Sequence, residues 1–172
     1  MRSDASRWIH RLRLVRHPEG GLFAESYRAP EIVPSQALPM RYDGPRCAST
    51  AIYFLLSGGD FSAFHRLKSD EVWHFYAGNG LELFVLDHEG GVTLHHMGNS
   101  LDLGQIPQAV ARAGSWLAAC PVDPTSFALV GCTVAPGFEF NDLELGDRAT
   151  LIDQFPAHRE LITRFTRESS RS

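Results

Sequence analysis

Short runs of alternating apolar and polar residues dominate the chain from about residue 22 onward. The runs are rich in branched and aromatic residues, turn residues separate them, and no helical pattern of about 10–15 residues lies between them. This pattern disfavours alternating β/α architecture and predicts an antiparallel sandwich or barrel. We predict nine strands, over residues 22–28, 50–56, 61–67, 71–77, 81–87, 92–97, 108–113, 115–120 and 126–134.

Turn residues mark the ends of these runs. Asn79-Gly80 supplies the positive φ angles that a tight hairpin needs between two apolar runs. Residues 29–45 contain four prolines and are predicted to form a long loop that could cover the mouth of a pocket.

Helical spacing occurs only at the two ends of the chain. Trp8, Ile9 and Leu12 predict a short amphipathic helix near the N-terminus. Two apolar stripes after Asp147, separated by Pro156, predict two short C-terminal helices.

Composition narrows the class of protein further. The chain has 172 residues, of which 44% are hydrophobic and 21% charged, with a net charge of −4. These values are typical of one globular domain that folds without a metal or disulfide, and the charge argues against nucleic acid as a partner. No segment approaches the ~20 apolar residues of a membrane span. Three cysteines and no signal-peptide pattern predict free thiols and a cytoplasmic location.

The most informative stretch for chemistry is residues 59–78, where two predicted strands are joined by a short turn. His65 lies near the end of the first strand and Glu71 at the start of the second. By alternation, two sets of side chains share the lumen: Phe61, Ala63, His65 and Leu67 from one strand, and Glu71, Trp73 and Phe75 from the other. A histidine and a carboxylate on an apolar wall are typical of a catalytic acid–base pair or part of a metal site. A buried, hydrogen-bonded structural pair is the alternative.

The first predicted strand adds a second set of binding candidates. Alternation places Phe23, Glu25 and Tyr27 on one face, and Ser26 and Arg28 on the other. A carboxylate on an apolar face needs a partner, so we expect Glu25 either to pair with an arginine or to contact the ligand.

Two further residues are predicted near the mouth of the barrel. Thr133 and Phe138 flank a Pro-Gly turn and could close the mouth of the barrel. Core packing is the alternative role for Tyr27 and Trp73, and we expect Arg66 to be an interface or salt-bridge residue.

The stretch around His65 resembles the first motif of the cupin superfamily. Four residues of this motif fall in register: Gly59, His65, Glu71 and Gly78. Leu67 stands where typical cupins have a second metal-binding histidine, and Leu117 stands where they have a third. The resemblance thus leaves only His65 and Glu71 to hold a divalent metal, fewer than the ligands that a bound metal normally takes. We therefore expect no metal cofactor.

Longer stretches resemble cupin family 5, a former domain of unknown function. The similar segments are residues 17–21, 25–28, 62–75, 131–138, 146–148 and 155–156. The resemblance implies an all-β fold, a double-stranded β-helix of the cupin jelly-roll type, with short N- and C-terminal helices. It also implies a single cupin domain over residues 1–172, with its core at about 10–165, and usually a homodimer.

These observations leave three classes of function open. The leading hypothesis is a metal-independent isomerase or epimerase that binds a small polar metabolite, such as a sugar or sugar derivative, and moves protons with His65 and Glu71. The alternatives are a non-catalytic small-molecule binding or sensing dimer and a metal-dependent cupin that recruits His74. Whether the chain is an enzyme stays open at this point.

Overall fold

Antiparallel strands form the body of the chain, and α-helices lie at both ends. The computed structural model describes residues 4–167, so the outermost residues of the predicted domain 1–172 lie outside the described part. Three α-helices form in this range: α1 (Asp4–Leu12), α2 (Arg148–Gln154) and α3 (Arg159–Arg164). Four single-turn 3-10 helices form at Ser35–Ala37, Leu101–Leu103, Phe140–Asp142 and Pro156–His158. The strands of the described residues are β1 (Val15–Arg16), β2 (Leu22–Arg28), β3 (Ile32–Val33), β4 (Arg46–Cys47), β5 (Thr50–Ser57), β6 (Ser62–Leu67), β7 (Asp70–Gly78), β8 (Leu81–Leu86), β9 (Val92–Met97), β10 (Gln108–Ala111), β11 (Trp116–Pro121), β12 (Phe127–Ala135) and β13 (Leu143–Leu145).

All nine predicted strands are confirmed, as are the three predicted helices. The strands form two large antiparallel sheets with the orders β1-β2-β5-β12-β7-β10 and β13-β6-β11-β8-β9. Strands that are distant in the chain lie side by side in both sheets, which is the jelly-roll arrangement of a cupin. The predicted fold class is therefore confirmed.

The main hydrophobic core lies between the two sheets. Phe54 and Trp73 from the six-stranded sheet join Leu83 and Leu117 from the five-stranded sheet in one buried cluster. The Phe54 and Trp73 rings meet edge to face, with centroids 5.9 Å apart. Cys132 of this cluster also lines the pocket described below.

The helices cover the outer faces of the sheets. Leu151 of α2 and Phe165 after α3 pack with Phe64 and Trp116, on the outside of the five-stranded sheet. Ile9 and Leu12 of α1 pack on the outside of the six-stranded sheet against a cluster that contains Leu55. The run 51–56, apolar on both faces, is thus covered partly by α1.

The C-terminal helices begin beside Asp147 and Pro156, as predicted, and α3 ends at Arg164, shortly before the predicted end near Arg167. The Asp147 carboxylate accepts a hydrogen bond from the Thr150 backbone N–H at 2.9 Å and caps α2. Pro156 begins a 3-10 turn between α2 and α3, where its missing N–H costs no helical hydrogen bond. None of the helices within residues 4–167 is long and apolar enough to cross a membrane.

Residues 29–45 contain more structure than a loop. Ile32 and Val33 pair with Cys47 and Arg46 in a two-stranded sheet, and a 3-10 turn follows at Ser35–Ala37. The buried guanidinium of Arg46 then binds both carboxylate oxygens of Asp142, at 2.7 and 2.6 Å. This charged pair fastens the end of the segment to the body of the chain, and no residue of 29–45 lines the pocket described below.

Two β-bulges overturn part of the predicted side-chain alternation. In β2 the register with β5 shifts between Glu25 and Tyr27, so Tyr27 leaves the face of Glu25 and is 51% exposed. In β6 three steps of chain, from Ser62 to His65, oppose two steps of β11. Phe61 consequently packs with the outer cluster and not on the face of His65.

Candidate functional site

A partly enclosed pocket lies between the two sheets, on the inner side of β2, β5, β7 and β12 and of β6 opposite them. Its cavity volume is about 60 Å³. Its lining residues are His17, Glu19, Phe23, Glu25, Arg28, Thr50, Ile52, His65, Leu67, Glu71, Cys132, Val134, Phe138, Glu139 and Phe140. Four of the predicted site residues are in this set: His65, Glu71, Glu25 and Phe138.

The other four predicted residues do not line the pocket. Tyr27 lies outside because of the bulge in β2. Thr133 does not line the pocket either, because Cys132 and Val134 face the pocket and the neighbouring Thr133 hydroxyl lies 3.2 Å from His74 Nε2. His74 thus points away from Glu71, as alternation in β7 predicted.

Ala63 and Trp73 form hydrogen bonds with the predicted pair but do not line the pocket. The Ala63 carbonyl accepts a hydrogen bond from His65 Nδ1 at 2.8 Å. The Trp73 indole N–H donates to Glu71 Oε2 at 2.8 Å, while its ring is buried in the core. Both residues therefore orient the predicted pair and do not themselves contact the cavity.

His17 and Glu19 are pocket residues that the pattern of strands did not predict. They lie in the turn before β2, where Gly20 and Gly21 have φ angles of +113° and +69°. A Cβ on Gly20 would collide with the Phe61 carbonyl oxygen, so the turn requires glycine there. The signal in the sequence is the run of residues 17–21, in which a histidine and an acid precede two consecutive glycines.

Glu19 is the centre of a buried hydrogen-bond cluster. Its Oε1 accepts a hydrogen bond from the Ser62 hydroxyl at 2.9 Å. Its Oε2 lies 3.2 Å from His65 Nε2 and 3.4 Å from His17 Nδ1. One carboxyl oxygen therefore faces two imidazole nitrogens.

The proton positions in this cluster follow from its backbone contacts. A carbonyl only accepts, so His65 carries a proton on Nδ1 and, when neutral, has a lone pair on Nε2. His17 Nδ1 accepts from the Glu19 backbone N–H at 3.4 Å, so it also presents a lone pair. A proton on Glu19 Oε2, donated to the His65 Nε2 lone pair, removes the repulsion between that nitrogen and the carboxyl oxygen.

The pKa values of the cluster shift in the direction that this arrangement requires. Burial raises the pKa of Glu19 to about 8, although the Ser62 hydrogen bond acts in the opposite direction. Burial lowers the pKa of His17 to about 4 and also lowers the pKa of His65. At neutral pH the cluster is therefore a carboxylic acid beside two uncharged imidazoles.

Glu71 is the second buried carboxyl of the pocket. Burial raises the pKa of Glu71 to about 7, while the nearby His65 lowers it and Glu19 raises it further. Hydrogen bonds from Trp73 and Cys132 favour the ionised form, and burial raises the pKa of the Cys132 thiol well above its usual range. Glu71 therefore titrates near neutral pH.

An ion-paired cluster lies at the pocket rim. Arg28 donates from Nε and Nη2 to the Glu25 carboxylate, at 3.1 and 2.8 Å, and from Nη1 to Glu139 at 2.7 Å. The bulge in β2 brings Arg28 to this side, whereas simple alternation predicted the opposite face. Glu25 pairs with an arginine, which was one of its two predicted roles, but its side chain is 40% exposed.

The donor set does not fit the metal site of typical cupins. His65 Nδ1 is bound to a carbonyl, and its Nε2 faces a carboxyl oxygen. Leu67 and Leu117 occupy the positions of the two absent histidines, and neither can ligate a metal. Among residues 4–167, no three His, Cys, Asp or Glu side chains form a group that could hold a metal ion.

The two facing sheets, with the His65 and Glu71 pocket between them, define a cupin barrel. Residues 6–146 match the family described as Cupin superfamily (DUF985), and the chain therefore belongs to this family.

Similar solved structures agree with this assignment. A crystal structure of a protein from Shewanella oneidensis is 33% identical, with a TM-score of 0.85, and the match covers 98% of this chain and 100% of that one. A hypothetical protein from Leishmania major is 30% identical, with a TM-score of 0.85, and 95% and 99% of the two chains are covered. Oxalate decarboxylase from Bacillus subtilis shares the fold at 14% identity and a TM-score of 0.53, over 90% of this chain and 37% of that one. No curated protein matches the chain.

Proposed function

We propose that the pocket catalyses metal-independent proton transfer on a small polar metabolite, in an isomerase or epimerase reaction. The observation that carries the proposal is the position of Glu19 Oε2 between His65 Nε2 and His17 Nδ1, in the same pocket as Glu71. Groups with a pKa near the working pH are effective acids and bases, and the pKa values of Glu19 and Glu71 are raised to about 8 and 7.

The two sides of the pocket suit two different roles. Glu71, partly ionised at neutral pH, acts as the base and removes a proton from the carbon beside a substrate carbonyl. The Glu19–His65 pair holds the proton that is donated to the carbonyl oxygen. The intermediate is an enediol. Return of a proton to the former carbonyl carbon, with loss of the hydroxyl proton on the first carbon, gives an isomer. Return of a proton to the opposite face of the first carbon, with loss of the proton on the former carbonyl oxygen, gives an epimer. Neither reaction needs an external oxidant or reductant.

The size of the pocket limits the substrate. Its cavity volume of about 60 Å³ is far below the roughly 300–1,000 Å³ of pockets for drug-sized ligands. A sugar or sugar derivative would place only its reacting end beside Glu71, with the remainder at the rim. The proposal therefore favours short hydroxy-carbonyl compounds as first test substrates.

Exchange of carbon-bound hydrogen for deuterium tests the proposal. The protein is incubated with glyceraldehyde, dihydroxyacetone or erythrose in D₂O containing EDTA, and loss of the C–H signal is followed by ¹H NMR. We expect catalysed exchange that falls by ~100- to 10,000-fold in Glu71→Gln and in His65→Asn. The control, Glu144→Gln, removes an exposed carboxylate that pairs with Arg66 away from the pocket.

Three results would contradict the proposal. Equal exchange rates in the wild type and both pocket variants would show that His65 and Glu71 do not carry the reaction. Exchange that EDTA abolishes would favour a metal-dependent cupin. Absence of catalysed exchange with all three compounds, and with aminoacetone as a cationic counterpart, would favour the non-catalytic binding alternative.

A further inference from the structure

Aromatic rings form one wall of the pocket. The His17 ring meets Phe23 edge to face with centroids 4.6 Å apart, and stacks on Phe140 at 5.9 Å. Phe140 in turn contacts Phe138 at 5.1 Å. Faces of such rings carry partial negative charge and attract organic cations.

Acidic side chains outnumber arginine and lysine side chains around the pocket. Four of its lining residues carry a carboxyl group, namely Glu19, Glu25, Glu71 and Glu139. Arg28 is the one arginine or lysine among the lining residues of the described chain.

Arg28 is already neutralised by its neighbours. Its guanidinium binds the carboxylates of Glu25 and Glu139 and donates to the Phe138 carbonyl at 3.2 Å. Two carboxylates against one guanidinium leave the rim with an excess negative charge. An anionic ligand would be repelled there, whereas a cation would find both carboxylate oxygens and ring faces.

We propose that the pocket is selective for a small metabolite that carries a primary ammonium group. This inference rests on the proposed function of the same pocket and specifies the class of its substrate. A primary ammonium is favoured over a quaternary one because its N–H groups donate to the carboxyl oxygens of the wall. Its small size also fits a cavity of about 60 Å³ better than a trimethylammonium group does.

A matched series of two-carbon compounds tests the selectivity. Ethanolamine, ethylene glycol and glycolate share a hydroxyl end and differ in carrying a cation, a neutral group or an anion at the other. Binding is measured by ¹H–¹⁵N NMR titration of the intact protein at pH 7 and low salt. We expect saturable ethanolamine binding in the millimolar range, at least about tenfold tighter than either of the other two.

Two variants locate the binding. Glu139→Gln removes one rim carboxylate and should weaken ethanolamine binding several-fold, and Phe140→Leu should also weaken it because a ring face is lost. Glu144→Gln, outside the pocket, should leave binding unchanged.

The inference is overturned if ethanolamine does not bind saturably, if glycolate or ethylene glycol binds as tightly, or if neither pocket variant changes binding. These measurements do not involve catalysis. Loss of exchange in Glu71→Gln together with absent ethanolamine binding would therefore overturn the ligand class and leave the proton-transfer proposal standing. Ethanolamine binding without any catalysed exchange would overturn the proton-transfer proposal and leave the ligand class standing.

Discussion

Replacement of Glu19 by glutamine should change how the stability of the protein depends on pH. The amide has the shape of the protonated carboxyl, so it can donate toward His65 Nε2 while its oxygen accepts from Ser62. Because burial raises the pKa of Glu19 from 4.5 to about 8, the folded state holds a proton that the unfolded state has released. In the wild type this proton costs stability progressively as pH rises from about 4.5 to about 8. The variant does not have this loss.

The size of the effect follows from the linkage between protons and folding. One proton of difference is equivalent to about 1.4 kcal/mol per pH unit. Between pH 6.5 and 8, the stability of Glu19→Gln relative to the wild type should therefore increase on the order of 2 kcal/mol. The lowered pKa values of His17 and His65 also make stability depend on pH near pH 6.5, but both histidines are present in the variant, so their contribution cancels in the difference.

Urea unfolding followed by circular dichroism at pH 6.5, 7, 7.5 and 8 measures the difference directly. The control variant Glu144→Gln should differ from the wild type by a constant amount over the same range. A constant difference for Glu19→Gln, or one that decreases with pH, would refute the assignment of a protonated carboxyl to Glu19.

Two predictions concern stability and assembly. Arg46→Met leaves the buried Asp142 carboxylate without its bidentate partner and should lower the free energy of unfolding in urea by about 3 kcal/mol. Arg112→Met, at an exposed pair, should lower it by less than about 1 kcal/mol, and equal losses would contradict this prediction. We also propose that the chain forms a homodimer through the exposed side of the six-stranded sheet, where Tyr76 is 49% exposed. Sedimentation equilibrium should show a dimer that Tyr76→Arg dissociates, and a wild-type monomer at all concentrations would contradict it.

The strands were predictable because their apolar and polar positions alternate regularly. Where pairing is uninterrupted, alternation also gave the correct face. In β7 it placed Glu71 inward and His74 outward. Alternation failed for Tyr27 and Phe61, because one extra residue in a bulge moves the side chains beyond it to the opposite face of the sheet. The bulges depend on pairing between distant strands, which the local pattern does not show.

The candidate site was predictable only in part for a related reason. His65 and Glu71 lie close in sequence, so a short turn between two strands was enough to bring them together. Glu19 reaches Ser62 across 43 residues of chain, through a glycine turn that no strand or helix pattern indicates. The Arg28 cluster was missed because it also depends on the bulge in β2.

The proposed function requires that two carboxyl groups of the pocket gain and lose protons near neutral pH without a metal. Carboxyl ¹³C NMR of protein labelled at glutamate, titrated in EDTA, tests it most directly, with Glu19→Gln and Glu71→Gln used to assign the signals. We expect the two buried carboxyls to titrate as a coupled pair with midpoints near 7 and 8. Midpoints below about 5 for both groups, in the ordinary range of a glutamate, would contradict the account.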